Sequence, residues 1–216
     1  MWFPLLSVAL ITLFFGDLLA QKLTPSSGTI TKSPRVEHCP FDVKASLAPD
    51  VTSLQVTYTA AGSQKALWSQ TEVKCYTRIL FEFEDSNYSI TVQEIEYQGK
   101  FQGNGEGKIE ALLAWDRDFG PTRFTPITLS SSVSTAIARN TSHATPSECI
   151  GWDGMFVKDA KVNLQTTFSG SAADFGTNGV LTQRLKFSWV DPKLACSAHC
   201  LFRDIDGGVY DPEKCK

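Results

Sequence analysis

The sequence predicts an all-β protein: a single antiparallel β-sandwich of about eight or nine strands, followed by a disulfide-tied C-terminal tail. Three observations support this fold class. Apolar and polar residues alternate over many short segments, turn-forming residues separate these segments, and no amphipathic helical pattern extends over about ten residues. A closed antiparallel barrel produces the same pattern and is the structural alternative.

The N-terminal segment is typical of a cleaved secretory signal peptide. Residues 2–15 are almost wholly apolar, and this run is shorter than the roughly 20 residues that a transmembrane helix needs. Small residues follow at Gly16 and Ala20, so we place cleavage after Ala20 and assign residues 1–20 to the signal. We therefore expect the mature chain to be secreted and extracellular, with no membrane span.

The composition fits one extracellular domain. Of the 216 residues, removal of the 20-residue signal leaves 196, which is enough for a single hydrophobic core. The net charge of −3 becomes −2 when Asp17 leaves with the signal, and Lys and Arg are scattered singly. This charge pattern argues against nucleic-acid binding. Sequons at Asn87 and Asn140 predict N-glycosylation, and we expect a monomer.

The chain after the signal divides into three segments. Residues 21–38 are rich in Ser, Thr and Pro, and we interpret them as a flexible leader. Residues 39–192 carry the strand patterns and form the β-sandwich domain, and residues 193–216 form a Cys-rich tail.

Period-two alternation places the individual strands. The clearest case is the segment 75–83, where five residues share the face that we expect to be buried: Cys75, Thr77, Ile79, Phe81 and Phe83. Similar patterns predict strands over 54–58, 162–168 and 181–189, and a more deeply buried strand over 108–115.

One predicted strand contains an irregularity. Ile90 and Val92 are in one phase, whereas Ile95 and Tyr97 are in the other. A phase change of one residue within a strand predicts a β-bulge near Gln93-Glu94.

Six cysteines predict a disulfide framework in an oxidising compartment: Cys39, Cys75, Cys149, Cys196, Cys200 and Cys215. Three belong to the predicted sandwich and three to the tail, so complete pairing within the chain requires at least one bond between the two. We expect a Cys75–Cys149 bond within the sandwich and a bond from Cys39 to the tail. A bond that closes such a long loop stabilises the fold by a few kcal/mol.

Several short motifs resemble a known family. The Cys39-Pro40 opening, the Tyr97-Gln98-Gly99 turn, the segment 146–151 and the sequence KVNLQTTFSG occur in this order. Together they resemble the secreted fungal proteins grouped as domain of unknown function 4360, over about Cys39 to Trp189. The resemblance implies a small secreted β domain, often from filamentous fungi, with no assigned activity and no catalytic residues to transfer. The tail cysteines depart from the family pattern.

Two tryptophans with neighbouring acids are the candidate ligand-binding residues: Trp115, Asp116, Asp118, Trp152 and Asp153. An aromatic face stacks on a sugar ring while carboxylates bind its hydroxyls. The same acids are candidates for the carboxylate pair of a glycosidase. The alternative interpretation is a core tryptophan followed by ordinary turn acids. Glu94 and Glu96 share one strand face, and a solvated polar surface accounts for them.

We assign no catalytic residue, metal site or cofactor. The chain lacks a G-x-S-x-G motif, its three histidines lie in loop-like segments, and all six cysteines are able to pair. In the tail, Cys196, His199, Cys200 and Cys215 lack a common zinc-site spacing. The acidic loop starting at Asp204 has the wrong residues at the glycine and glutamate positions of a helical calcium loop.

These observations predict a secreted, non-enzymatic β-sandwich protein that acts at a cell surface or host interface by binding an extracellular protein or glycan. One alternative is a secreted glycan-active hydrolase that uses paired carboxylates. A second alternative is a structural cell-wall protein.

Overall fold

The computed structural model describes residues 25, 27–60, 72–83, 89–99, 106–115, 121–130, 133–141, 147, 159–169 and 180–190. All regular secondary structure in these residues is β, which confirms the predicted class. The strands are β1 (Gly28–Ile30), β2 (Arg35–Glu37), β3 (Phe41–Leu47), β4 (Ser53–Ala60), β5 (Glu72–Phe83), β6 (Ser89–Gly99), β7 (Glu106–Trp115), β8 (Thr122–Arg123), β9 (Ile127–Ser130), β10 (Thr135–Arg139), β11 (Asp159–Ser169) and β12 (Val180–Val190). In this part of the chain, no helix has the length and apolar character needed to cross a membrane.

The strands form two antiparallel sheets in a sandwich-like arrangement. Sheet A has the order β1-β5-β11-β7-β8, with β2 also paired to β5 and β9 also paired to β7. Sheet B has the order β10-β6-β12-β4-β3. One isolated bridge, between Phe124 and Asn140, links the two sheets within the described residues. The described strands therefore form two sheets and not the closed barrel of the structural alternative.

Alternation along each strand builds the core between the sheets. On β5 all five residues predicted to share a face are buried, and on β7 the same is true of Ile109, Ala111, Leu113 and Trp115. The rings of Phe41, Tyr58 and Phe168 meet edge to face, with centroids 5.3 to 6.4 Å apart. These rings come from both sheets, so aromatic contacts join the two layers.

The predicted bulge in β6 is confirmed. Lys186 of β12 lies opposite Glu94, but the next residue, Phe187, lies opposite Val92, so Gln93 has no opposing residue on β12. The extra residue reverses the alternation of β6. As a result, apolar residues on both sides of the bulge point into the core: Ile90, Val92, Ile95 and Tyr97.

The prediction of a flexible leader over 21–38 is wrong for part of that segment. Strand β1 pairs with Phe81–Phe83 and β2 pairs with 76–78, both on the same edge of β5. Strands of three residues are too short to show periodicity in the sequence. They form because the edge of β5 offers unpaired backbone groups. The predicted signal peptide and residues 21–24 lie outside the described residues.

The expected disulfide pairing is also wrong for Cys39 and Cys75. These two cysteines bond to each other, with their Cα atoms 4.4 Å apart. The pairing of β2 with β5 sets Glu37 opposite Tyr76, which brings Cys39 beside Cys75. Cys149 and the tail cysteines lie outside the described residues. A bond between sandwich and tail stays a prediction, and by parity it now involves Cys149.

A small polar cluster lies at the centre of the core. The hydroxyls of Tyr58 on sheet B and Thr166 on sheet A share a hydrogen bond of 3.0 Å, and Gln183 Nε2 donates to Thr166 Oγ1 at 3.1 Å. Burial raises the pKa of Tyr58 to about 12 and also raises the pKa of Tyr97. The Tyr97 hydroxyl is also buried and lies near the side chain of Gln183, but it makes no hydrogen bond of good geometry to any described residue. The two tyrosines therefore differ in how their hydroxyls are satisfied.

Candidate functional site

The outward-facing side chains of sheet A line up in rows across its strands. One row contains Tyr76 of β5, Gln165 of β11 and Leu112 of β7, with Glu37 of β2 opposite Tyr76. Because neighbouring strands lie about 4.8 Å apart, a row across four strands spans roughly 14 Å. Register thus brings together residues from four separate parts of the chain.

The next row runs parallel to the first. It contains Arg78 of β5, Asn163 of β11 and Ala114 of β7, with Arg35 of β2 opposite Arg78. Residues two apart on a strand point to the same face at about 7 Å. The two rows therefore form one continuous surface.

These rows line a groove of about 310 Å³, which we call the Tyr76 groove. Residues of β2, β5, β7 and β11 line it, together with Pro121: Arg35, Glu37, Tyr76, Thr77, Arg78, Leu112, Ala114, Pro121, Asn163, Leu164 and Gln165. A concave surface that combines apolar area with a few polar groups is the usual form of a ligand site.

Tyr76 supplies the aromatic surface of the groove. It lies on the outer face of β5, and 41% of its surface is exposed, whereas the apolar residues in the opposite phase of the strand are buried. The ring of His38 meets the Tyr76 ring edge to face, with centroids 6.0 Å apart. Tyr76 is therefore supported from one side and accessible to a ligand.

A covalent link fixes this end of the groove. The Cys39–Cys75 disulfide joins the residue that follows His38 to the residue that precedes Tyr76. His38 itself has a φ of 55°, in the left-handed region, where the chain leaves β2. The disulfide holds β2 against β5, so it fixes the position of both Tyr76 and the border that β2 provides.

Polar groups surround the tyrosine. Arg78 Nε donates to Asn163 Oδ1 at 2.9 Å, and Arg35 Nε forms an ion pair with Glu37 Oε1 at 2.9 Å. Gln165, next to Tyr76 in its row, adds a second amide. Guanidinium and amide groups offer both donors and acceptors, which suits a ligand with several hydroxyl groups.

The predicted role of Trp115 as a stacking platform is wrong. Only 4% of its surface is exposed, and its ring packs in the core 6.4 Å from that of Phe81. Trp115 is in phase with the inward-facing residues of β7, so alternation directs it between the sheets. The other candidates, Asp116, Asp118, Trp152 and Asp153, lie outside the described residues. Ala114 and Pro121, on either side of the segment 116–120, both line the Tyr76 groove.

The interpretation of Glu94 and Glu96 as part of a solvated surface is confirmed. Lys186 Nζ contacts Glu94 at 2.6 Å and Glu96 at 3.8 Å, and Arg184 contacts Glu96 at 3.9 Å. The hydrogen bond that Lys186 donates to Glu94 is the main cause that raises the pKa of Lys186. We call these four residues the sheet B ladder.

The predicted glycosylation sites remain predictions. Asn140 lies at the bridge between the sheets, and its Nδ2 donates to Gln93 Oε1 at 2.9 Å. Asn87 lies outside the described residues.

The sequence interpretation missed every residue of the Tyr76 groove. One local signal was present, because Tyr76 is an aromatic residue on the polar face of an otherwise regular strand. An exposed aromatic residue in that phase indicates a binding surface more directly than a tryptophan in the buried phase does. No local signal identifies Asn163 or Gln165, which join the groove only through register.

Within the described ranges, no cluster of three or more His, Cys, Asp or Glu residues is placed to hold a metal ion. The tail residues weighed as zinc or calcium ligands lie outside those ranges.

No family model matches the chain, and no curated protein matches it. Among solved structures, the chain is similar to a β-sandwich carbohydrate-binding module described as having promiscuous specificity, at 5% identity and a TM-score of 0.29. This alignment covers 79% of the chain but 60% of that structure, so the chain spans less than two thirds of its length.

Two further solved structures are also similar. A family 11 carbohydrate-binding module from Clostridium thermocellum, in complex with a β-1,3-1,4-mixed-linked tetrasaccharide, is 12% identical, with 76% of this chain and 87% of that chain covered and a TM-score of 0.22. A family 29 carbohydrate-binding module from Piromyces equi is 11% identical, with 72% and 89% covered and a TM-score of 0.24. Because all these TM-scores are below 0.5, we base the function on the geometry of the groove alone.

Proposed function

We propose that this chain is a secreted β-sandwich protein that binds an extracellular glycan in the Tyr76 groove. One observation carries the proposal: an exposed aromatic ring lies in a groove with the side chains of Arg78, Asn163 and Gln165 around it. The protein acts at a cell surface or host interface as a binding protein.

The chemistry of the groove matches that of a sugar. A pyranose ring presents C–H groups on its faces and hydroxyls around its rim. The C–H groups pack against the aromatic face of Tyr76, and the amide and guanidinium groups form hydrogen bonds with the hydroxyls. The polar groups come from rigid strands, so they are already placed before a ligand arrives.

The extracellular setting is part of the same proposal. The Cys39–Cys75 disulfide is typical of chains that fold in an oxidising compartment. The N-terminal signal and the sequons at Asn87 and Asn140 point to the same compartment. The resemblance to the fungal family of unknown function stays a prediction, as do the monomeric state and the protein-binding, hydrolase and cell-wall alternatives.

A glycan panel with two matched variants tests the proposal. The secreted protein is screened against oligosaccharides, and the affinities of the hits are measured by calorimetry. We expect Tyr76→Ala to weaken binding at least about tenfold, because truncating a contacted aromatic anchor removes about 1.5–3 kcal/mol. Ile137→Ala is the control, since this side chain is 48% exposed on the outer face of sheet B.

The control is expected to bind like the parent protein. Melting temperatures of both variants confirm that they are folded. A panel without any hit, or equal loss of binding in the two variants, would overturn the proposal. Capture of a protein partner through the groove would favour the protein-binding alternative instead.

A further inference from the structure

We propose that the Tyr76 groove prefers an acidic glycan and that Arg78 binds a carboxylate of a uronate residue. The inference rests on the proposed function and adds the chemical class of the ligand. It follows from the charge balance of the groove.

The guanidinium of Arg78 is bonded to a neutral group. Its Nε donates to the amide oxygen of Asn163 at 2.9 Å, and within the described part of the chain no carboxylate lies within 4 Å of it. Its two Nη groups have no partner among these residues. Paired Nη donors match the two oxygens of a carboxylate, so Arg78 presents an open bidentate site.

Two other cations on the same face of sheet A are neutralised. Lys74 pairs with Glu72 at 2.9 Å, and Lys108 pairs with Glu110. The hydrogen bond that Lys74 donates to Glu72 is the main cause that raises the pKa of Lys74. These pairs lie beyond the two rows of the groove and add no net charge to this face. Arg123 of β8 lies opposite Leu112, at the end of the Tyr76 row, and has no carboxylate within 4 Å among the described residues, so it adds a second positive charge beside the groove.

The groove itself holds two arginines and one acid among its described lining residues. Arg35 and Glu37 neutralise each other, and Arg78 remains with a charge of +1. Arg35 also lies directly opposite Arg78 across β2 and β5. Glu37 balances only one of these two opposed guanidinium groups, so an anion bound at Arg78 balances the other.

Arg78 and Tyr76 are close enough for a single ligand molecule to contact both. The two residues are two apart on β5, and their side chains stand about 7 Å apart on the same face. A sugar ring stacked on Tyr76 therefore places the carboxylate of the same or the next residue within reach of the guanidinium. Lys44 and Arg139 also have no carboxylate within 4 Å among the described residues, but both lie on sheet B, away from the groove. Arg123 lies on sheet A, but with Gln165 and Leu112 between it and Tyr76 in the row, it is farther from the ring than Arg78 is.

Calorimetry with one pair of ligands tests the inference. The full chain is titrated with a short oligogalacturonide and with its carboxyl-reduced counterpart, which differ only in the acidic group. We expect the acidic ligand to bind at least about tenfold more tightly at low salt, the size expected for a hydrogen bond to a charged group. The difference should shrink as salt screens the charges.

Variants assign the preference to Arg78. Arg78→Gln should lose the preference for the acidic ligand, because affinity for that ligand falls much more than affinity for the carboxyl-reduced one, which loses only hydrogen bonds to hydroxyls. Arg78→Lys should retain only part of the preference, because an ammonium group lacks the planar fork. Arg139→Gln removes a charge from sheet B and should change neither affinity. Melting temperatures show which variants are folded. If Arg78→Gln does not fold, the partial loss of preference in Arg78→Lys tests the role of Arg78.

The outcomes separate the inference from the proposed function. Equal affinity for the two ligands, or a preference that persists without Arg78, overturns the inference and leaves glycan binding in place. Failure of every neutral and acidic oligosaccharide to bind overturns the proposed function itself. The inference is supported if Arg78→Gln loses the preference for the acidic ligand while Arg139→Gln keeps it.

Discussion

The outer faces of the two sheets arise from the same alternation but differ in how their charges are arranged. On sheet B, register sets Lys186 opposite Glu94 and Arg184 opposite Glu96, so each of these two cations faces an acid. On sheet A, the same kind of register sets Arg35 opposite Arg78. Opposite charges in register stabilise a sheet, whereas like charges do not.

This difference separates a structural surface from a binding surface. The charges of the sheet B ladder satisfy one another, so little is gained when a ligand replaces those contacts. On sheet A, an exposed ring and an arginine without a carboxylate partner among the described residues lie in a groove, and a ligand adds contacts without breaking ion pairs at these two residues. Polar character alone does not distinguish the two faces.

The largest effect is expected from removing the disulfide that supports the groove. The bond joins cysteines 36 residues apart, and closing a loop of this size stabilises the fold by about 3–4 kcal/mol. We therefore expect the double variant Cys39→Ala/Cys75→Ala to lose about this much free energy of unfolding in guanidinium titrations. A loss below about 1 kcal/mol would show that β2 is held to β5 without the bond.

An intermediate effect on the free energy of unfolding is expected at high pH, from the buried Tyr58. An unfolded tyrosine ionises near pH 10, whereas burial raises the pKa of Tyr58 to about 12 in the folded protein. The folded state binds the proton more tightly, so this contribution to stability is present below pH 10 and is lost as the pH rises to 12. The expected loss is about 2–3 kcal/mol for this tyrosine.

The Tyr58→Phe variant isolates this effect from the titration of lysines. Its free energy of unfolding should fall less steeply between pH 10 and 12 than that of the parent protein. At pH 7 the variant loses the hydrogen bond to Thr166, which costs about 1 kcal/mol. Identical slopes for the two proteins would mean that the Tyr58 hydroxyl reaches water.

The smallest effect is expected from the sheet B ladder. Glu94→Gln removes the acid closest to Lys186, but both side chains are partly exposed. We expect a small fall in melting temperature that disappears at high salt, because exposed ion pairs are weak and screened. Glycan affinity should be unchanged. A marked fall in affinity would mean that sheet B takes part in binding.

The sequence was sufficient for the features that depend on neighbouring residues. Alternation identified the buried faces of β5 and β7, and a phase change located the bulge to within one residue of Gln93, because the side-chain period of a strand is a local property. The same alternation places Trp115 in the core, which was the alternative to its candidate role in sugar binding. The candidate role rested on the aromatic character of Trp115 and on the acids that follow it in the sequence.

The groove could not be predicted because it depends on long-range register. Tyr76, Gln165 and Leu112 form one row only because β11 pairs with β5 on one side and β7 on the other. The Cys39–Cys75 bond depends likewise on the pairing of β2, a strand of three residues, with β5. Sequence patterns of this length do not specify which strands become neighbours.

The central claim is that the ligand lies on sheet A, in the Tyr76 groove, and backbone amide chemical shifts test it most directly. The ¹⁵N-labelled protein is titrated with the tightest-binding oligosaccharide of the panel. We predict the largest shift changes at 76–78, 112–114 and 163–165, on three adjacent strands. Largest changes at 94–96 and 184–186, on the sheet B ladder, would contradict the claim.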